Sequence, residues 1–576
     1  MFALKRWYRP LRADIPHVGN AGTRLALLHV EEEHIPHAAE PASSRTQARL
    51  AIPFFIWLGL CGSILLSICS IGGGSLPVLD NPYASFPFGF NFGASMARIP
   101  DVCAVGVMFG VALMMIAWVG LAPYVGIHIP GVPTRNTHIF SKKIIFITAI
   151  IWTIPFFFAA PVFSQDIYSY LAQGEITARH LDPYSGGPID LLGTDNNLAR
   201  SVPNTWAHSP APYGPVATGL AALISVITHN ALIPAVTFHR LLSAISIAVI
   251  GLCIAPLARR FHMDTRQAYW FIILNPLVTL HLIAGIHNDS IMIAMVFVGF
   301  ICAYRATDNI YAGKYLRALG WILLSCVSIS IGGLVKIPAF LALGFLTTGI
   351  ARAFLLRHKA SGSFLSAPFS FLQTILSLGI AGILCAVFSL ATLAVLSLGS
   401  GLGFGWVFVQ GGASDVVSWR AIITQLGQLA NVILLLSGAG NHAASAIFIA
   451  RLFGYLLIII CIIRCLWASF THTLSMFPGY AVAMTFTVFL FPVIHPWYLL
   501  WSFVPLVLYA NRRFTRTLII AITIFMGLSA LPRSVNFGVS LTLSIYLLSF
   551  SCAILFSILS YRIYKRYNDR RKNLAV

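Results

Sequence analysis

The sequence predicts an all-α polytopic membrane protein, and three observations support this fold class. The chain has 576 residues, of which 58% are hydrophobic and only 9% are charged. Soluble globular proteins carry about 25% charged residues, so most of this protein's surface has to face lipid. The mean hydropathy is +0.83, and about fourteen apolar stretches are long enough to cross a membrane as helices. A soluble enzyme, a disordered chain and a fibre are therefore excluded.

Short polar links separate the apolar stretches along most of the chain. The predicted membrane helices cover residues 51–70, 103–125, 143–163, 232–257, 267–285, 289–305, 318–335, 337–353, 366–398, 445–464, 475–492, 496–510, 517–531 and 538–560. With a cytoplasmic N-terminus, about 29 of the Lys and Arg residues fall inside and about six outside, which is the normal bias of a membrane protein. The pattern predicts a multi-pass plasma-membrane protein with both termini cytoplasmic.

One apolar stretch, residues 214–228, is too short for an ordinary span. Counting it as a crossing would reverse the charge bias of the loops that follow, so we predict a helix at the outer membrane interface. The predicted organisation is a cytoplasmic tail at 1–50, membrane helices at 51–163, a long extracytoplasmic loop at 164–231, a transmembrane core at 232–560 and a basic cytoplasmic tail at 561–576.

The formal net charge of +20 raises the question of a polyanionic partner. The basic residues are spread over nearly every predicted inner loop and form no single stripe with aromatic residues. Membrane topology therefore explains them, and nucleic-acid binding is not predicted. The ten cysteines lie in or beside predicted spans, which argues against disulfides or a thiolate zinc site. No ligand spacing among the outer His and Asp residues supports a metal, so no metal or cofactor is predicted.

Two of the few carboxylates lie at the predicted outer membrane boundary. Asp166 follows the apolar run that ends at Phe163, and Asp289 lies in a very short link between two apolar runs. Partial desolvation raises the proton affinity of a carboxylate and suits it to act as a base. An aspartate after a helix is also an ordinary cap or a solvated loop residue, and the sequence leaves both interpretations open.

Few basic residues lie on the predicted outer side, and two are candidate contacts for an anionic lipid head group. Lys336 interrupts an apolar run, and Arg240 lies about eight residues inside its span, where ionisable residues are functional candidates by default. A snorkelling lysine and a structural ion pair are the alternatives. Tyr213, His495 and Trp497 lie at the same interface, where aromatic residues either anchor the protein in the membrane or stack on sugars.

An ordered set of motifs connects these candidates. The motifs are SQDIYSY at 164–170, DPY at 182–184, PYGP at 212–215, NPL at 275–277, HND at 287–289, KIP at 336–338 and PWYLLW at 496–501. The set resembles the actinobacterial α-(1→6)-mannopyranosyltransferases of the glycosyltransferase C superfamily over residues 50–560. Ile286 is a departure, since the family pattern has a second glycine there.

The resemblance implies a glycosyltransferase C-type fold in which the long first outer loop bears interfacial helices and the catalytic carboxylate, matched here by Asp166. It also implies transfer of mannose from polyprenyl-phosphate-mannose to a lipid-anchored α-(1→6)-mannan acceptor, the backbone of lipomannan and lipoarabinomannan. One base suffices for this reaction, because a β-linked donor gives an α-linked product by a single inversion. Lys336 and Arg240 are then expected to contact the donor phosphate.

The remaining site residues are expected to contact the sugar or the acceptor. They are His287, Asn288, Asp289, Tyr168, Tyr213, His495 and Trp497. Another polyprenyl-phosphate-sugar transferase, such as an arabinosyltransferase, is an alternative, because no motif reports the sugar's hydroxyl contacts. A transporter or flippase of a polyprenyl-linked sugar is a second alternative, although transporters often have repeated halves and no repeat is visible.

Overall fold

The computed structural model describes residues 42–85, 99–129, 132, 139–360, 371–409, 417–471, 473–510, 512–533 and 538–573. These residues form helices and connecting loops, with an isolated β-bridge between Ile129 and Val132. Within the described ranges, nine helices are long and apolar enough to cross a membrane. The all-α polytopic prediction is therefore confirmed. The first 41 residues of the predicted N-terminal tail lie outside the described part of the chain.

The N-terminal part of the bundle contains α1 (Ala42–Gly73), α2 (Ile99–Leu121) and α3 (Lys142–Thr153). α1 begins before the predicted span at residue 51 and includes the last residues of the predicted tail. α1 and α2 pack with their backbones close together, because a side chain at Gly62 would meet the backbone oxygen of Gly110 at 2.7 Å. Small residues allow this kind of approach between membrane helices.

The long loop at 164–231 is folded into five helices. They are α4 (Asp166–Ala178), α5 (Pro188–Leu192), α6 (Asn197–Ser201), α7 (Asn204–Ala207) and α8 (Pro215–Thr228). α8 coincides with the short apolar stretch that the sequence predicts to be an interfacial helix. It packs closely on α4, since a side chain at Gly174 would meet the backbone of Ala221 at 2.5 Å. The first and last helices of the loop therefore form one unit.

The middle of the chain contains α9 (Leu232–Arg260), α10 (Thr265–Ile272), α11 (Asp289–Tyr311), α12 (Tyr315–Gly333) and α13 (Leu341–Ala360). The continuous span predicted at 267–285 is not one helix. α10 has only eight residues, and a π-helix, Val278–Ala284, follows after a break. The break contains a proline, which cannot continue the hydrogen-bonding of an α-helix.

α10 is fixed to α2 by a pair of buried tryptophans. The rings of Trp118 and Trp270 stack with centroids 4.4 Å apart. Each indole Nε1 donates to the backbone oxygen of the other residue, at 3.1 and 3.0 Å. The segment that carries the π-helix is therefore anchored to the first part of the bundle.

The C-terminal half adds seven helices. They are α14 (Phe371–Gly399), α15 (Ile422–Leu436), α16 (Ala443–Phe470), α17 (Met476–Leu490), α18 (Leu499–Val507), α19 (Arg513–Ser529) and α20 (Val539–Asn573). α15 is a short apolar helix that lies between two predicted spans, in a predicted outer loop. Leu456, Ile460 and Ile463 of α16 are more than half exposed, as expected for a face in contact with lipid. α20 continues through most of the predicted C-terminal tail.

Candidate active site

Asp166 is the first residue of α4, where the chain leaves the bundle. The preceding turn is held by backbone hydrogen bonds from Val162 to Ala284 (3.4 Å) and from Phe163 to Pro532 (2.9 Å). Two segments that are distant in sequence therefore fix the position of the carboxylate. Its side chain is 22% exposed, so it lies at the boundary between the protein interior and its surroundings.

The environment of Asp166 shifts its proton affinity. Burial raises the pKa of the Asp166 carboxyl to about 6, although Lys336 and the Ser164 hydroxyl lower it, and the nearby Asp289 carboxylate raises it further. The N-terminus of α4 also favours the charged form, but burial dominates. A carboxylate with a pKa close to the working pH is well suited to general-base catalysis.

Asp289 and Lys336 form an ion pair beside Asp166. Asp289 is the first residue of α11 and is fully buried, and Lys336 lies in the link after α12. The Lys336 ammonium is 3.0 and 3.3 Å from the two Asp289 carboxylate oxygens, and Trp501 Nε1 donates to Asp289 Oδ1 at 2.5 Å. Burial alone would lower the pKa of Lys336, but the Asp289 carboxylate raises it above its ordinary value. Lys336 is therefore charged and already paired.

A stack of neutral rings lies against Asp166. His287 Nδ1 is 3.5 Å from Asp166 Oδ2, which is longer than a good hydrogen bond. The His287 ring stacks on Trp497 with centroids 3.8 Å apart, and His495 stacks on the same indole at 4.5 Å. Burial, with a smaller effect of the neighbouring His281, Lys336 and His495, lowers the pKa of His287 well below its ordinary value. The ring is therefore neutral and offers polar nitrogens next to the carboxylate.

Arg240 lies inside α9, and 1% of the residue is exposed. Its Nε donates to the backbone oxygen of Ile283 at 3.3 Å, and its Nη2 has no hydrogen-bond partner in the described part of the chain. The same residues include no carboxylate paired with it. A buried guanidinium without a counterion is costly. The guanidinium is therefore suited to bind an anion.

The π-helix and the residue before His287 carry unusual backbone. Ile286 has φ of 58°, a left-handed conformation that strains a β-branched residue and that glycine adopts freely. The family's glycine therefore fits the conformation found here. The π-helix brings His281 to within 5.8 Å of the Trp497 ring, measured between centroids. Strained backbone and π-helices both concentrate at functional sites.

The structure brings most of the expected site residues together. Asp166, His287, Asp289, Lys336, His495 and Trp497 form one contact network. Asn288 and Tyr213 line a small cavity beside it. Tyr168 is fully buried and donates its hydroxyl to the backbone oxygen of Ser75 at 2.6 Å, so it anchors α4 to the end of α1.

The sequence reasoning did not assign three residues that belong to this region. Trp501 bonds Asp289, His281 lies by Trp497, and His239 lines the small cavity. His281 and His239 fall inside predicted spans, and ionisable residues in spans are functional candidates. That signal was available in the sequence. Within the described ranges, no group of three or more His, Cys, Asp or Glu side chains is placed to hold a metal ion.

The fold and the site define a class: a polytopic helical membrane protein with a partly buried carboxylate of raised pKa at one end of its bundle. A family model described as "Alpha-(1->6)-mannopyranosyltransferase, N-terminal domain" matches residues 56–352, and one described as "MptB C-terminal domain" matches residues 423–559. No solved structure matches the chain.

Three curated relatives agree with these matches. Alpha-(1->6)-mannopyranosyltransferase B of Corynebacterium glutamicum is 38% identical over 96% of this chain and 93% of its own length. A probable alpha-(1->6)-mannopyranosyltransferase of Mycolicibacterium smegmatis is 33% identical over 88% and 86%. Alpha-(1->6)-mannopyranosyltransferase A of Mycobacterium tuberculosis is 29% identical over 77% and 78%. The chain belongs to the α-(1→6)-mannopyranosyltransferase family and is a glycosyltransferase, not a transporter.

Proposed function

We propose that this chain transfers mannose from polyprenyl-phosphate-mannose to a lipid-anchored α-(1→6)-mannan acceptor at the outer face of the plasma membrane. The names of the relatives support the sugar and the linkage. The observation that carries the proposal is the Asp166 carboxyl, which is partly buried and has a pKa of about 6. It lies beside the Lys336 ammonium, at the end of a helical bundle that faces lipid. A lipid-linked donor and a polar acceptor can both reach such a boundary.

In the proposed reaction Asp166 is the general base. Its carboxylate accepts the proton of the acceptor's 6-hydroxyl while that oxygen attacks the anomeric carbon of the donor. The bond between the anomeric carbon and the phosphate oxygen breaks, and polyprenyl phosphate leaves with the bonding electrons. One displacement converts the β-linked donor into an α-linked product. No second, nucleophilic carboxylate is therefore required.

Arg240 and Lys336 are the proposed contacts of the donor phosphate. Negative charge grows on the phosphate as it leaves, and a cation in a water-poor site stabilises that charge strongly. Arg240 is favoured by its buried guanidinium, whose Nη2 has no partner among the described residues. Lys336 already pairs with Asp289, so we assign it the weaker contact. Loss of Arg240 should therefore raise the KM for the donor more than loss of Lys336.

The neutral rings beside Asp166 are the proposed sugar contacts. His287, Trp497 and His495 form a stacked group with polar nitrogens and flat apolar faces. Sugars present both hydroxyl groups and apolar C–H faces, so this chemistry suits them. In this proposal Asn288 and Tyr213 extend the contact surface, while Asp289 and Tyr168 hold it in position.

The test is mannosyl transfer by membranes carrying Asp166→Asn. Asparagine keeps the size of the side chain but cannot accept the proton, so we expect turnover to fall by about 10²- to 10⁴-fold. Asp195→Asn is the matched control, because Asp195 is an exposed carboxylate of the same loop, and it should stay within about twofold of the parent. Near-normal turnover by a well-folded Asp166→Asn protein would exclude Asp166 as the base.

A further inference from the structure

A small cavity lies beside the active-site network, between α4, α8, α9 and α11. Tyr170 and Gln173 line it from α4. Together with Asp166 they occupy positions i, i+4 and i+7 of α4, which share one face of a helix. The cavity is therefore a continuation of the surface that carries the proposed base. Its volume is about 20 Å³, which accommodates one water molecule or one hydroxyl group.

Three buried polar atoms of the lining residues have no partner among the described residues. They are Nε2 of His239, Oδ1 of Asn288 and the hydroxyl oxygen of Tyr170. His239 is 9% exposed and its ring lies 6.1 Å from that of Tyr170, between centroids. Buried polar atoms are nearly always hydrogen-bonded in folded proteins. Unpaired atoms from separate parts of the chain at one cavity therefore point to a partner that the described residues do not supply.

The lining restricts the chemistry of that ligand. The cavity is lined by tyrosine, amide, histidine and small apolar side chains, and none of its lining residues is Lys, Arg, Asp or Glu. A phosphate or carboxylate would find no counterion among the lining residues, and Lys336 nearby is already paired with Asp289, so a neutral group is favoured. A hydroxyl both donates and accepts: it can donate to Asn288 Oδ1 while it accepts from His239 Nε2 and from the Tyr170 hydroxyl. One hydroxyl group can therefore bond to all three unpartnered atoms.

We propose that this cavity binds one hydroxyl group of a mannose unit, with His239 and Asn288 as its hydrogen-bond partners. The proposal rests on the mannosyl transfer proposed above and adds a specificity-determining contact to it. The hydroxyl belongs either to the donor mannose or to the acceptor's terminal mannose, and the chemistry of recognition is the same for both. His239 recognises it from within α9.

The experiment compares deoxy sugars in the parent and in His239→Leu. The donors are polyprenyl-phosphate-mannose and its singly deoxygenated analogues. The acceptors are a synthetic α-(1→6)-dimannoside and analogues that each lack one non-reacting hydroxyl. In the parent, loss of the recognised hydroxyl should lower kcat/KM by about ten- to a hundredfold, because it leaves buried polar atoms unpaired. In His239→Leu that penalty should shrink at least tenfold, while the penalties of the other analogues stay unchanged.

The penalty of an analogue is the ratio of its kcat/KM to that of the complete sugar, measured in the same protein. Comparing this ratio between the parent and His239→Leu cancels the intrinsic reactivity of the analogue and any general loss of activity in the variant. His239→Gln, which keeps a polar nitrogen at the end of its side chain, should retain most of the penalty. If His239→Leu fails to fold, Asn288→Leu gives the same test from the other partner. Whether the affected analogue is a donor or an acceptor identifies the source of the hydroxyl.

Two results would overturn the proposal without touching the proposed function. In the first, no analogue shows a penalty that depends on residue 239. In the second, His239→Leu changes only the melting temperature, as expected if the cavity holds a structural water. Failure of the parent to use polyprenyl-phosphate-mannose would instead contradict the proposed function itself, so the two failures are distinguishable.

Discussion

At the scale of single residues, the shifted proton affinity of Asp166 predicts the pH dependence of the reaction. Burial raises its pKa to about 6, and only the deprotonated carboxylate can accept a proton. We therefore expect kcat/KM to be constant above about pH 7 and to fall about tenfold per pH unit below pH 6. The measurement is kcat/KM for mannosyl transfer between pH 4.5 and 8. The residual activity of Asp166→Asn should lack this inflection, and a profile that is unchanged in that variant would assign the inflection to another group.

The ion pair beside Asp166 makes a second prediction at this scale. Asp289→Asn keeps an acceptor for Trp501 Nε1 but leaves the Lys336 ammonium unpaired, and Lys336→Met leaves the Asp289 carboxylate unpaired. Each single change should lower the free energy of unfolding by about 3–5 kcal/mol, because it leaves a buried charge without its partner. The double variant should recover a large part of that loss. Thermal unfolding in detergent measures this coupling, and additive losses would show that the two charges do not depend on each other.

At the scale of elements, the start of α8 meets the link that carries Lys336. A side chain at Gly214 would lie 2.4 Å from the backbone oxygen of Leu334. A flexible side chain could rotate away from such a clash, but the backbone has to shift as a whole. Gly214→Ala should therefore separate Tyr213 from the Lys336 link and lower turnover at least tenfold. Gly219→Ala is the control within α8, since its added methyl group meets nothing within 4 Å. It should leave turnover unchanged and stabilise the helix by up to about 1 kcal/mol. Equal activity of the two variants would contradict this packing argument.

The long apolar helices could be predicted from the sequence because a membrane span depends on length and hydropathy, which are local properties. The span at 267–285 was not found as one helix, since Asn275 and Pro276 interrupt it and a π-helix follows. Apolar composition alone does not reveal such a break. Local pattern also placed Asp166, Asp289 and Lys336 at the predicted outer membrane boundary. It could not show that Trp501 bonds Asp289 across 212 positions of sequence, because that contact depends on how distant helices pack.

At the scale of the whole molecule, the active-site network and the basic end of α9 lie far apart. α9 runs from Leu232, next to the long loop, to Arg260, and its 29 residues span about 44 Å at 1.5 Å per residue. Arg260 forms a bidentate ion pair with Asp308 at that far end. Basic residues accumulate on the cytoplasmic side of membrane proteins. The charge distribution and the length of this helix together support an extracytoplasmic site.

This orientation predicts which parts of the chain are accessible from outside the cell. An epitope inserted after Asp195, an exposed position between α5 and α6, should bind antibody on intact spheroplasts. An epitope added after Val576 should bind antibody only after the membrane is permeabilised, because the predicted C-terminus is cytoplasmic. Retained mannosyl transfer by both tagged proteins is the control for correct folding. Labelling of the C-terminal epitope on intact spheroplasts, with protection of the loop epitope, would reverse the orientation and place Asp166 and its acceptor on the cytoplasmic face.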